Sequence, residues 1–148
     1  MAIMKSEANL TVPLWFKIIA GVALVWNLMG VMAFVSEMMM TPELIARLSQ
    51  PEQDLYANLP MWATAAFALA VTGGALGCLL LVLRKGLAVN VLVLSLVGVL
   101  IQMFHSFFMS DSFEVYGLQG AIMPIMVVLV AIALVVLARF AQSKQWLI

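Results

Sequence analysis

Residues 90–111, NVLVLSLVGVLIQMFHSFFMSD, form an almost unbroken apolar run that contains the only histidine of the chain, His105. On a helix, one stripe collects the residues spaced three and four apart, namely Ser95, Gly98, Gln102, His105 and Met109. This stripe should face protein, because lipid cannot form hydrogen bonds with an amide or an imidazole. The stretch therefore predicts a membrane-spanning helix that packs against other helices along a polar stripe.

The composition extends this interpretation to the whole chain. Of 148 residues, 66% are hydrophobic and 9% are charged, which leaves too little polar surface for a soluble domain of this size. Four apolar runs are each long enough to cross a hydrocarbon core of roughly 30 Å. They cover approximately residues 14–39, 61–83, 87–109 and 118–138. We therefore predict an all-α membrane protein, one domain over residues 1–148 that forms a bundle of four transmembrane helices. The first run is long and lacks a clear cleavage site, so we interpret it as a retained span.

The charged residues predict the orientation. Six of the seven basic residues lie on the side that four spans assign to both termini: Lys5, Lys17, Arg84, Lys85, Arg139 and Lys144. The opposite side has Arg47 as its basic residue and most of the acids: Glu37, Glu43, Glu52, Asp54, Asp111 and Glu114. Because basic residues are enriched in cytoplasmic loops, we expect both termini to be cytoplasmic.

The longest connection, residues 41–60, lies on the outer side in this topology. Thr41, Pro42 and Glu43 have the residue types of an N-cap and a first helical turn, and apolar residues follow at helical spacing. A short amphipathic helix on the membrane surface is expected, with Pro51 as its end. It is either a linker or a lid over an outward cavity.

Small and polar residues within the spans predict helix packing. Asn27 lies near the middle of the first span and needs hydrogen-bond partners there. Gly73 and Gly77 lie on one face of the second span with Ala66 and Ala70, which favours close approach of a neighbouring helix. Pro124 should free the carbonyl of the residue four positions earlier and kink the fourth span.

Glu37, Gln102 and His105 are the candidate site residues. Counted from the helix ends, Glu37 and His105 lie within one or two turns of the outer surface, and Gln102 lies one turn below His105. A carboxylate and an imidazole at the same depth could relay a proton or bind a polar solute. Alternatively, they pair and connect two helices. Helix adjacency decides between these interpretations.

Other classes of function lack support in the sequence. Cys78 is the single cysteine, which argues against disulfide, CxxC and thiolate zinc chemistry within one chain. The chain has no Gly-rich phosphate loop, GxSxG elbow or HExxH motif, and its net charge is zero. We therefore predict no enzyme activity, no cofactor, no metal and no nucleic-acid partner.

Several segments resemble a family of small bacterial membrane proteins with four spans. They are WNLMGVMAF, MTPELIARL, GGALGCLLLVLRK, QMFHSFF, EVYG and IMPI, and the similarity covers nearly the whole chain. Members of that family are commonly labelled sugar transporters. The resemblance implies a location in the bacterial inner membrane, with the lipid bilayer as the surrounding partner. It carries no catalytic or binding residues over to this chain.

Three functions follow as hypotheses. The first is a small transporter or permease for a small polar solute, expected to be a homo-oligomer because four short helices enclose little room. The second is a membrane subunit or scaffold whose polar stripe only holds helices together. A membrane enzyme or metal site is the least favoured. Small multidrug transporters also have four spans, but their essential acid lies deep in the first helix, at the depth where this chain has Asn27. This difference argues against assigning their mechanism to this chain.

Overall fold

The computed structural model of the protein describes residues 12–110 and 112–148, apart from the side chains of Ser112 and Phe113. Within these ranges it contains only helices and their connections. In chain order they are α1 (Leu14–Met38), α2 (Pro42–Ile45), α3 (Gln50–Ala57), α4 (Met61–Val82), α5 (Leu87–Phe104), a π-helical turn (His105–Met109), α6 (Ser112–Tyr116) and α7 (Gln119–Ser143). The predicted all-α class is confirmed. Lys5 and Asp111, two of the charges used to predict orientation, lie outside the described residues.

Four of the helices, α1, α4, α5 with its π-helical turn, and α7, are long and apolar enough to cross a membrane. By length and composition they indicate a multi-pass membrane protein. The first three have bounds within one residue of the predicted spans. The fourth helix runs to Ser143 rather than ending near residue 138. Its last turn is more polar than a membrane core allows, but backbone hydrogen bonds continue there and Ala141 is still buried.

Residues 41–60 form two short helices where one was expected. The hydroxyl of Thr41 accepts a hydrogen bond from the Leu44 N–H at 3.2 Å, and α2 is only four residues long. Pro51 was predicted to end a helix, and this is wrong. It lies in the first turn of α3, where proline is tolerated because the N–H that it lacks would have no partner within the helix.

The hairpin of α4 and α5 is the centre of the bundle, with α1 packed against α4 and α7 packed against α5. Three glycines let the two central backbones approach closely. A Cβ atom on Gly77 would lie 2.6 Å from Cδ2 of Leu92, and one on Gly73 would lie 3.1 Å from Cβ of Ser95. On the facing helix, a Cβ on Gly98 would lie 2.9 Å from the backbone nitrogen of Ala70. Glycine at these positions permits a contact that any other residue would widen.

The bundle has two ends that differ in charge, and we name them by it. The basic end is where α1 begins and α7 ends, and its charged residues are Lys17, Arg84, Lys85, Arg139 and Lys144. The acidic end carries α2, α3 and α6, and its acidic residues are Glu37, Glu43, Glu52, Asp54 and Glu114. The larger apolar core lies toward the basic end, around Phe16, Leu81, Leu92 and Ala138.

Candidate functional site

The polar stripe of α5 faces the other helices along most of its length. Ser95 and His105 are buried, and the Ser95 hydroxyl donates a hydrogen bond of 2.6 Å to the backbone carbonyl of Ala70 on α4. Met109 departs from the prediction, because 59% of its surface is exposed. The π-helical turn at His105–Met109 explains the difference. It has more residues per turn than an α-helix, so the residues after His105 rotate away from the stripe.

The three candidate residues Glu37, Gln102 and His105 line one cavity of about 200 Å³ near the acidic end. Glu37 reaches it from α1, while Gln102 and His105 reach it from α5 and the π-helical turn. The connection between α1 and α4 also contributes to the lining, through Tyr56. We call this space the inner cavity. The structure thus brings together groups that the sequence could place only at similar depth.

His105 is held at the wall of the inner cavity by aromatic packing. Its ring meets the indole of Trp62 edge-on, with ring centroids 5.4 Å apart and planes at 86°. Only 8% of the His105 surface is exposed. Thr64, on the same helix as Trp62, lines the same cavity. An imidazole in this position has a fixed ring orientation and can donate or accept a hydrogen bond.

A wider depression lies at the surface of the acidic end, with a volume of about 670 Å³, and we call it the outer basin. Its lining includes three carboxylates, those of Glu52, Asp54 and Glu114. His105 and Tyr116 line both the outer basin and the inner cavity. The two spaces therefore adjoin at these side chains.

The negative charge around these spaces affects the pKa values of two tyrosines, Tyr116 and Tyr56. Burial raises the pKa of Tyr116, and the nearby carboxylates of Glu52 and Glu37 raise it further. The Tyr116 side chain is also hydrogen-bonded to Glu52, which favours the neutral phenol as donor. The pKa of Tyr56 is raised by burial first and then by Glu37 and Glu52. The carboxylates of α1 and α3 thus act on the same space.

A third space, of about 430 Å³, opens between α1 and α7 at the middle of the bundle. We call it the groove. Its walls are mostly apolar and include Met29, Val71 and Val127. Gln102, Ser106 and Phe67 line both the groove and the inner cavity. The three spaces therefore follow one another from the surface of the acidic end to the middle of the helices.

Asn27 and Gly74 form the floor of the groove together with Ser95. The Asn27 amide nitrogen donates hydrogen bonds to the carbonyl of Ala23 at 2.8 Å and to the sulfur of Cys78 at 3.3 Å. Its oxygen lies over Gly74, so closely that a Cβ at that position would collide with it. Asn27 therefore connects α1 to α4. Pro124 also lines the groove, from the second turn of α7.

The basic end is closed by aromatic side chains. Trp146 lies with its ring centroid 5.3 Å from that of Phe16, 5.7 Å from that of Trp15 and 5.4 Å from that of Phe140. Phe16 and Trp146 are 1% and 8% exposed and fill the interior, whereas Trp15 and Phe140 are 46% and 42% exposed and lie at its edge. We call these four rings the aromatic plug. They join the start of α1 to the end of α7.

Backbone hydrogen bonds hold the plug in place. The N–H of Ile148 donates to the carbonyl of Arg84 at 2.6 Å, and the N–H of Gly86 donates to the carbonyl of Ile148 at 2.9 Å. The Arg84 side chain donates a third bond, of 2.9 Å, to the carbonyl of Trp146. Arg84 and Gln145 both have left-handed backbones, with φ of 60° and 62°, at the ends of α4 and α7. The chain after α7 is thereby attached to the turn between α4 and α5.

The sequence analysis did not identify several of the residues that line the inner cavity and the groove. Ser106 lies four positions after Gln102, at helical spacing, and the stripe as we defined it left Ser106 out, although it lines the inner cavity from the π-helical turn. Tyr56 and Tyr116 come from connections, where spacing carries no information about depth. Gly74 lies next to Gly73 of the small-residue face, and it makes room for Asn27.

The described residues contain no group of three histidine, cysteine, aspartate or glutamate side chains placed to hold a metal ion. The donor set of the inner cavity is instead a carboxylate, an imidazole, an amide, hydroxyls and two phenols, which suits hydrogen bonding to a solute. Comparisons of the chain with protein-family models, with characterised proteins and with solved structures find no match.

Proposed function

We propose that the protein is a transporter of a small solute in the inner membrane of a bacterium, seen in a state open at the acidic end. One observation carries this proposal: the outer basin, the inner cavity and the groove adjoin through shared side chains, whereas the aromatic plug closes the other end. A solute site that opens to one side at a time is what alternating access requires. Glu37, Gln102 and His105 are the proposed solute-binding residues.

In this proposal the basic end is cytoplasmic, as the excess of lysine and arginine predicts, and the acidic end faces outward. Reporter fusions test the orientation separately from transport. A reporter that is active only in the cytoplasm should work when fused after Ile148. The same reporter inserted between Ala46 and Gln50, in the connection of α2 and α3, should be silent. The opposite pattern would invert the proposed direction.

The competing function is a scaffold whose polar groups only hold helices together. It is favoured by one observation: in the described part of the chain, every fully buried side-chain nitrogen or oxygen has a hydrogen-bond partner. Ser95 and Asn27 show this structural role directly, since each bonds across to α4. The two functions differ in whether water reaches the inner cavity and the groove.

Thiol labelling tests that difference without knowledge of the solute. Cys78 is buried, so its replacement by alanine gives a background in which one new cysteine can be followed. We expect Ser106→Cys to react with a membrane-impermeant thiol reagent added at the acidic side and to be protected from the basic side. Ala138→Cys, which is fully buried near the basic end, is the matched control and should remain unreactive. An unreactive Ser106→Cys from both sides would support the scaffold.

Variants of His105 test the role of the inner cavity in transport. Purified protein in vesicles is assayed for uptake of glycerol, a pentose and a hexose, and unfolding is measured on the same samples. If His105 works by changing charge, alanine and glutamine should both abolish uptake and its pH dependence, because glutamine keeps hydrogen bonding but cannot become a cation. If His105 is structural, alanine should destabilise the protein and glutamine should largely restore it. Full uptake by a stable His105→Ala variant would exclude His105 from the mechanism.

A further inference from the structure

Among the aspartate, glutamate, lysine and arginine side chains of the described residues, only acidic ones line the three spaces. Carboxylates line the outer basin at Glu52, Asp54 and Glu114, and Glu37 lines the inner cavity. No lysine or arginine of the described residues lines the basin, the cavity or the groove. A cleft lined by one sign of charge concentrates ligands of the opposite sign. The outer basin and the inner cavity therefore favour cations over anions.

The inner cavity adds aromatic faces to this charge. Tyr56, Tyr116 and Phe67 line it beside Glu37. Aromatic rings attract organic cations through the negative face of the ring, and this attraction increases when the cation leaves water. The cavity, at about 200 Å³, has room for a compact head group such as a substituted ammonium.

The groove favours a different chemical group. Its walls are mostly aliphatic and thioether side chains, among them Met29, Val99, Met103 and Val127, and its few polar groups lie on the floor or where it adjoins the inner cavity. Ser95 and the amide nitrogen of Asn27 already have hydrogen-bond partners in the protein. The groove opens between α1 and α7, which expose large apolar side chains such as Met29 and Met123 at its edges. An apolar tail fits this space, and it could enter sideways from the bilayer.

We propose that the ligand of this site is an amphipathic organic cation, with its charged head in the inner cavity beside Glu37 and its apolar tail in the groove between α1 and α7. This inference rests on the proposed function, because it names the class of solute that the same site takes. It replaces the small polar solute expected from the sequence with a molecule that has one cationic end and one apolar end. Gln102 and Ser106, which line both spaces, lie where head and tail join.

Three probes with the same tail and different heads test the charge preference: decyltrimethylammonium, decanoate and decyl glucoside. Binding is measured by equilibrium dialysis against the protein in nanodiscs of neutral lipid, and empty nanodiscs are subtracted to remove partitioning into lipid. We expect the cationic probe to bind about tenfold more tightly than either of the others. Glu37→Gln should reduce that preference to about threefold or less. Equal binding of the three probes, or an unchanged preference in Glu37→Gln, would overturn the proposal.

Groove-filling variants test the position of the tail. Val127→Trp places a large side chain in the groove and should weaken binding of the cationic probe about tenfold. Val136→Trp is the matched control on the same helix, because Val136 is 61% exposed and does not line the groove. If Val127→Trp does not fold, Ala131→Phe reports on the same wall. Undiminished binding by a folded groove-filling variant would exclude the groove as the site of the tail.

Uptake of the cationic probe into vesicles separates this inference from the proposed function. Selective binding without uptake would support the ligand class and contradict transport. Uptake of a sugar or glycerol without selective binding of the cation would support transport and contradict the ligand class.

Discussion

The two ends of the bundle are built from the same four helices but differ in what fills the space between them. At the basic end, Ala20, Ala138 and Ala141 are fully buried and leave room for the rings of Phe16 and Trp146. At the acidic end the corresponding space contains Gln102 and other polar groups around three adjoining cavities. Small residues opposite large rings can pack without voids, whereas polar side chains need partners or water. The acidic end therefore keeps internal space, whereas the basic end is filled by side chains.

The largest expected difference between the ends lies in the loss of one tryptophan from each. Trp146→Ala should lower the free energy of unfolding by about 3 to 5 kcal/mol, because it empties the centre of the aromatic plug. Trp62→Ala should lower it by only about 1 kcal/mol, since Trp62 is 42% exposed beside His105. Unfolding of both variants in mixed micelles measures this difference. Equal losses would contradict a tightly closed basic end.

A second comparison concerns the contact between α4 and α5, which continues from one end to the other. Gly98→Leu should lower the free energy of unfolding by about 3 kcal/mol, because its Cβ would meet the backbone of Ala70, which cannot rotate away. Gly77→Leu should have a smaller effect, of about 1 to 2 kcal/mol, since Leu92 can change its rotamer.

Gly21→Leu is the matched control for these glycine variants. A Cβ on Gly21 has no neighbour within 4 Å, so leucine meets no clash there, and its better helix propensity should raise the free energy of unfolding by up to about 1 kcal/mol. Thermal unfolding and size-exclusion profiles in detergent measure all three. A Gly98→Leu variant as stable as Gly21→Leu would mean that this face of α5 contacts lipid.

The free energy of unfolding should depend on pH in the alkaline range because of Tyr116 at the acidic end. The pKa of Tyr116 is raised above its ordinary value of 10.0, so the folded protein holds the phenolic proton more tightly than the unfolded chain. This stability is fully present below pH 10 and is lost as the pH rises through the folded-state pKa. Tyr116→Phe lacks this proton, so its stability should fall less than that of the wild type as the pH rises above 10.

Thermal unfolding across this pH range, with wild type and variant measured in parallel, checks the prediction for Tyr116. Other groups that titrate above pH 9 affect both proteins alike, so the difference between the two profiles isolates the phenol. Parallel profiles would mean that neither burial nor the carboxylates of Glu52 and Glu37 raise the pKa of Tyr116.

The smallest expected effect is at the end of α7. Gln145→Gly should raise the free energy of unfolding by about 0.5 kcal/mol, because glycine adopts the φ of 62° at this position without strain. Gln142→Gly, three residues earlier in the last turn of α7, should instead lower it by about 1 kcal/mol. Thermal unfolding of the pair gives opposite signs if the left-handed turn holds the chain after α7 in place.

Part of the candidate site could be predicted from local pattern. Gln102 and His105 stand out because they are polar in an apolar span, and Glu37 because it lies at the same distance from a helix end. Met109 was assigned to the stripe on regular helical spacing, and the π-helical turn moves it outward. Tyr56 and Tyr116 could not be found this way, since their positions depend on the connections. Ser106 lies four positions after Gln102 and could have been found by the same spacing.

The sequence by itself determined the all-α class, the number of apolar helices and their bounds at most ends, because a chain in lipid must satisfy its backbone hydrogen bonds within each apolar run. The tertiary structure alone decided that α1 and α7 meet at the basic end and separate toward the acidic end. That outcome depends on distances between residues far apart in the chain, such as Phe16 and Trp146, whose ring centroids lie 5.3 Å apart. Spacing along one helix contains no information about such distances, because it defines which face a residue occupies but not what lies opposite.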